Sequence, residues 1–313
     1  MGNRKRPGRP ISGVIVIDKP AGDSSNGVLQ RVKRLFFANK AGHTGGLDPL
    51  ATGVLPVCFG DATKFSQFLL DSDKEYVSTF RFGEVTDTAD SDGEVLESID
   101  ASKLTKADVL KAIKAYIGDI DQVPPMYSAL KRNGQPLYKL ARQGIEVERE
   151  PRPVTVYEFE LLAFRPGAVA EADVRVFCSK GTYIRSLASD IGADLELGGH
   201  VAKLRRTQAG PFTIDQSITI EELEQERGEK LAEVLDHHLL PTDIAVADFP
   251  VLELDDNSAF YFSRGQAVMD SRVYRLGDEG DKVRVFDSSG KFYGVAEITD
   301  EGTVAPKRLV SQS

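Results

Sequence analysis

The chain is poor in cysteine. Cys58 and Cys178 are the only two in 313 residues, too far apart for a metal motif and too few for a disulfide framework. A reducing, cytoplasmic setting fits that usage. Long apolar runs are also missing. The most apolar stretch, Ile11 to Ile17 (ISGVIVI), is seven residues long and stops at Asp18-Lys19. That is too short for a signal-peptide core or a membrane span, so the expectation is a protein neither secreted nor embedded. There is no Walker loop, GxGxxG phosphate turn or GxSxG elbow, and no internal repeat or low-complexity tract. Positive charge is in deficit: 39 Lys and Arg against 48 Asp and Glu give a net charge of −9.

The charges are segregated, and local patches decide docking where net charge does not. Acids crowd into 84–108 and 221–256. Bases gather at Arg4 to Arg9, Arg31 to Lys40, Lys131 to Arg152 and Lys203 to Arg206. Such a pattern permits a nucleic-acid face on an acidic protein; solvated charge on scattered faces is the plainer alternative. The length suggests one large domain and a small one, with a boundary near 248.

Hydrophobic patterning predicts a buried strand at 12–18 and a helix capped by Ser24 or Ser25 with Val28, Val32, Leu35 and Phe36 on its inner face. A strand is expected at 53–59, with Pro56 marking an edge or bulge. A short helix starts at Asp61, and strands follow at 75–82 and 94–98. Thr105 to Asp108 reads as a capping box opening a helix through Leu110, Ile113 and Ile117. Residues 122–152, with Pro124-Pro125, Asn133-Gly134 and many bases, form a long excursion of the functional or disordered kind. Strands return at 154–164 and 172–178. Thr182 then caps a helix through Ile184, Leu187, Ile191 and Leu195, and the tail shows short strands and turns.

Chemistry concentrates in GHTGGLDPLATG, residues 42–53, which puts four glycines, one proline and one carboxylate into twelve residues. It reads as shaped loop. Asp48 is either a turn residue bonding local N–H groups or an ionised nucleophile needing a cationic partner. Arg185, placed at N3 of a helix, opposes the macrodipole and calls for a carboxylate or phosphate; the alternative is a surface ion pair of little worth. Tyr76 opens a strand after an acidic turn, as a core-edge residue or as a platform for a nucleobase. His43 shows no ligand spacing with His200, His237 or His238, so no metal site is expected.

Taken together, these residues resemble the bacterial tRNA pseudouridine synthase B family almost end to end. The likeness is carried by GVIVIDKPAGDSSN, AGHTGGLDPLATGVLPVCFGDATKFSQFLLDSDKEY, PPMYSALKRNGQPLYKLARQGIEVERE, CSKGTYIRSLASDIG and the tail GTVAPKRLV. The resemblance implies an α+β fold: a mixed, largely antiparallel sheet flanked by helices over 1–248, with a small β-rich PUA-type domain at 249–313. It implies Asp48 as catalytic aspartate, Arg185 as its salt-bridging partner, Tyr76 as the stacking tyrosine and Leu204 as the wall opposite. His43 would belong to the RNA contact and base-flipping loop, and Tyr183 would line the uridine pocket. Residues 122–152 would be an RNA-clasping insertion, with Lys131, Arg132, Lys139, Arg142 and Arg149 as phosphate contacts.

The implied activity is isomerisation of uridine to pseudouridine in the T arm of tRNA, position 55, by a monomer. The reaction involves no redox change and no group transfer, so no cofactor is expected. Asp48 would attack C1′ or C6 or assist elimination at C2′, and Tyr76 or Asp48 would take the C5 proton. A catalytically silent RNA-binding module and a synthase for another RNA are the alternatives. The chain departs from the family at Gly46, where Thr or Ala is usual, and at Ala21-Gly22-Asp23.

Overall fold

Strand Gly13–Lys19 alternates as a buried strand must. Ile15 and Ile17 face one apolar cluster while Val14 and Val16 face another. In the computed structural model, which describes residues 8–311, this strand lies at one edge of a nine-stranded sheet. The sheet runs Gly13–Lys19, Thr52–Phe59, Gly199–Ala209, Lys74–Phe82, Ala170–Cys178, Arg152–Arg165 and Gly118–Gln122, with Ala41–His43 and Phe212–Thr213 as short additions. All neighbours are antiparallel except Thr52–Phe59 with Gly199–Ala209. Of the basic N-terminal run, only Arg9 falls within the described residues.

Helices cover the sheet where its apolar face needs cover. Lys106–Lys114 and Ile184–Asp194 pack Val109, Ile113, Leu187 and Ile191 on Phe80, Val174 and Val176. The capping box of Thr105 and Asp108 is formed. The inner face of that helix is Val109 and Ile113, whereas Leu110 and Ile117 are exposed. Helix Ser25–Leu35, capped by Ser24, seats Val28 and Val32 against Ile15 and Ile17. On the opposite face of Ala170–Cys178, Arg165 bridges Glu171 and Asp173, and Arg175 bridges Glu75, Glu158 and Glu160.

Pro56 is not at an edge. Its carbonyl accepts from Thr44 N on the side where Ala41–His43 ends, so a missing N–H leaves no ladder bond unmade there. The loop is also shorter than expected, since Gly42 and His43 pair with Cys58 and Val57, and Thr52 already belongs to the next strand.

Five further strands, Val251–Leu254, Lys282–Asp287, Phe292–Ile298, Thr303–Leu309 and Val268–Met269 in that order, form a second sheet. It shares a core with the first, because Val295 and Phe292 pack among Val14, Val16 and Phe65. Residues 312–313 lie outside the description.

Gly53 shows how tightly the two strands beside the loop meet. Its φ is +100°, and a Cβ there would lie 2.2 Å from the Arg206 carbonyl oxygen. Gly53→Ala is therefore expected to lower stability by roughly 2–4 kcal/mol in urea unfolding. Gly42→Ala, with nothing within 4 Å, should stay within about 0.5 kcal/mol. Equal midpoints for the two variants would contradict this packing.

Candidate active site

Between strands Ala41–His43 and Thr52–Phe59 the glycine loop is pinned from three sides. Asp48, Pro49, Leu50 and Ala51 form a turn closed by Ala51 N on the Asp48 carbonyl, 3.0 Å. Buried Ser25 donates to Leu47 O (3.0 Å) and accepts from Leu47 N (2.7 Å). Lys19, fully buried, donates to Pro20 O, Pro49 O and Ala51 O at 2.8, 3.2 and 2.6 Å. Burial lowers its pKa to about 8. Gly22 N, in a turn at φ +86°, reaches Pro49 O at 2.8 Å. The unusual Ala21-Gly22-Asp23 turn thus still grips the loop. At Gly46 a Cβ would meet nothing closer than 3.7 Å, so the larger residue usual there would fit its first carbon.

So held, the Asp48 side chain turns away from its own backbone. Its Oδ2 sits 2.9 Å from Arg185 Nε. Arg185 is almost completely buried, and each arm of its guanidinium is engaged: Nη1 donates to Thr88 O at 2.8 Å and Nη2 to Tyr127 O at 2.6 Å. Asp90 Oδ2 lies 3.7 Å from the same Nε. Arg185 is the second residue of helix Ile184–Asp194, one place earlier than expected, because Tyr183 is the N-cap and Thr182 donates instead to Ser179 O. The macrodipole penalty is met by two carboxylates and two carbonyls. Burial raises the Asp48 pKa from its ordinary value, with Arg185 opposing and Asp90 adding to the rise.

The carboxylate opens onto a cavity of about 400 Å³ lined by Asp48, Tyr76, Leu204, Tyr183, Arg185 and Arg206 together with Ser128 and Ala129 of the 122–152 excursion. Tyr76 and Leu204 come from adjacent strands, Tyr76 facing Arg206 and Leu204 facing Ser78 in register. The Arg206 guanidinium, buried and donating to Val54 O and Gly45 O, stands beside the Tyr76 hydroxyl, whose pKa burial raises. Gln122, also buried, holds the turn before the helix by exchanging two bonds with the Tyr183 backbone, 3.0 and 2.7 Å.

Five of the expected residues, Asp48, Tyr76, Tyr183, Arg185 and Leu204, therefore converge on one cavity. His43 does not line it. It packs beside Gly46 with its Nδ1 buried and unpartnered, and burial lowers its pKa. In the excursion, which holds a small hairpin and a helix Leu137–Ala141, Lys131, Lys139 and Arg142 are exposed. Arg132 donates to Glu148 O, and Arg149 turns inward to Pro124 O and Glu146. Sequence reasoning missed Lys19, Ser25, Asp90, Gln122 and Arg206. The acidic cluster around Asp90, the basic run ending at Arg206 and the cap position near Ser25 were visible, but not their place at the site.

Three family models match in succession: TruB family pseudouridylate synthase, N terminal domain, over 33–184; tRNA pseudouridylate synthase B C-terminal domain over 185–247; and pseudouridine synthase II TruB, C-terminal, over 250–310. The chain is 99% identical over 313 residues to tRNA pseudouridine synthase B of Saccharophagus degradans, covering 100% of both. It is 52% identical over 310 residues to that of Pseudomonas aeruginosa, covering 99% of both. Among solved structures, a chain of a Cbf5-Nop10-Gar1 complex superposes with a TM-score of 0.71 at 26% identity, over 96% of this chain and 85% of that one. With three family models covering 33–184, 185–247 and 250–310 and a relative 99% identical over 313 residues, the chain belongs to the TruB family of pseudouridylate synthases.

Proposed function

We propose that this protein isomerises uridine to pseudouridine at position 55 in the T arm of tRNA, acting as a cytoplasmic monomer. One observation carries the reading: a carboxylate, Asp48, fixed by a buried arginine at the mouth of a cavity walled by Tyr76, Leu204 and Tyr183. Its relatives are named for tRNA pseudouridine synthesis. No helix of the described residues is long and apolar enough to cross a membrane.

The uridine leaves its stack at a cost of a few kcal/mol. Stacking on Tyr76, with Leu204 opposite, offsets part of that cost. The N1–C1′ bond breaks with the help of Asp48, the uracil turns, and C5 bonds to C1′. C5 then loses a proton and N1 gains one, so composition is unchanged. Arg185 keeps the carboxylate aimed throughout, and Tyr76 and Asp48 are the two groups at the cavity suited to take the C5 proton.

RNA is held outside the cavity. Lys131, Lys139 and Arg142, the last lying over the Tyr138 ring, present exposed cations for phosphates, and Arg132 and Arg149 add to them while also bonding backbone carbonyls of the 122–152 clasp. Residues 1–248 form the catalytic domain, and 249–313 position the rest of the tRNA without taking part in chemistry.

Tritium release from 5-³H-uridine-labelled tRNA transcripts tests the assignment. One equivalent per tRNA is expected, and none when uridine 55 is replaced by cytidine. Release from the substituted transcript would move the target; none from either would leave a binding module. A second expectation concerns pH. The carboxylate must be ionised to act, and a raised pKa means that ionisation is lost at higher pH than in a free aspartate. Single-turnover rate should fall on acidification with a midpoint above 3.8, the ordinary value. A midpoint at or below that value would show that the Arg185 ion pair outweighs burial at Asp48; no fall in rate on acidification would contradict the role.

A further inference from the structure

Helix Ile220–Arg227 and the 3₁₀ turn Ala232–His238 pack side by side on the face of the sheet that also carries helix Ser25–Leu35. Ile220, Leu223 and Leu235 are fully buried in the shared core, so the backbone of both elements is fixed. Gly228, at φ +42°, turns the chain between them. Arg9 bonds Asp236 from outside and anchors the turn further.

On the outer side of this pair three side chains converge. His238 Nε2 lies 2.7 Å from Glu226 Oε2, and His237 Nε2 lies 3.5 Å from Glu226 Oε1. The two imidazole centroids lie 3.9 Å apart with their planes tilted by 38°, and both Nε2 atoms face the Glu226 carboxylate. His237 Nδ1 is 2.9 Å from Val234 O. A carbonyl only accepts, so Nδ1 carries a hydrogen, and Nε2 is the ring atom that faces the carboxylate and can take a metal ion in place of a proton. A backbone carbonyl fixing the tautomer is the outer partner that metal-ligating histidines ordinarily have.

We propose that Glu226, His237 and His238 form a binding site for a late first-row divalent cation of the Zn²⁺ type. Two imidazoles and a carboxylate suit such ions, and three protein ligands leave an open fourth position. The donor atoms already lie within 4.8 Å of one another. A tetrahedral shell with bonds of about 2.0–2.2 Å needs them at roughly 3.4 Å, a small side-chain movement on a fixed backbone. No step of the isomerisation uses this cluster, and none of its residues lines the cavity. Its effect is to staple helix to turn on the flank that supports strand Gly13–Lys19. Spacing from His43 gave no hint of it. The fold, not the distance to His43, brings a glutamate to two adjacent histidines.

Calorimetric titration of the untagged full-length chain with Zn²⁺ in a non-coordinating buffer tests the site. One equivalent should bind and raise the melting temperature by roughly 5 °C at saturation. Mg²⁺ should give no heat, since it prefers oxygen shells. His237→Gln, at a position with 60% side-chain exposure, and Glu226→Gln should each fold normally and weaken Zn²⁺ by at least about tenfold. Absence of binding to the parent, or undiminished binding in both variants, would overturn the proposal.

Discussion

A buried guanidinium ties this site together. Arg185 sits in the interior with a carboxylate on its Nε and carbonyls on both terminal nitrogens. An unpaired charge there would be costly, so each partner is under pressure to stay in place. Those partners come from three separate stretches: the glycine loop through Asp48, the acidic 86–92 segment through Thr88 and Asp90, and the start of the 122–152 excursion through Tyr127. Satisfying one side chain therefore draws three loops to one end of the sheet. The cavity is the space left between them.

The glycine loop shows the complementary constraint. Its glycines let backbone approach backbone, as Gly53 does at Arg206, but they would leave a slack chain if nothing opposed them. Lys19, Ser25 and Gly22 oppose them with bonds to backbone atoms on either side of Asp48. An aspartate so held is preorganised, as the proposed role of a catalytic carboxylate requires.

Much of this was legible in the chain. Alternation gave the strands, the Thr105–Asp108 box gave a helix start, and an arginine opposing a helix dipole announced a carboxylate partner. Where the reading failed, the missing information was three-dimensional. Lys19, Gln122 and Arg206 bond backbone atoms remote in sequence, which leaves no local pattern to find. Leu110 and Ile117 fit a helical period as well as Val109 and Ile113 do, and only the sheet decides which pair faces inward. Pro56 broke the edge-strand rule because the neighbouring strand ends opposite it. Arg149, a basic residue in a basic segment, also donates to Pro124 O and Glu146, contacts that no local pattern announces.

The central claim is that the Asp48 carboxylate performs chemistry and is more than a turn former. Asp48→Asn tests it most directly, since asparagine keeps the shape, the Pro49 turn and a hydrogen bond to Arg185 but lacks charge and nucleophilicity. On this account the variant folds, binds tRNA within about tenfold of the parent, roughly 1.4 kcal/mol, and releases no tritium from 5-³H-uridine-labelled tRNA. Parent-like tritium release from Asp48→Asn would contradict it.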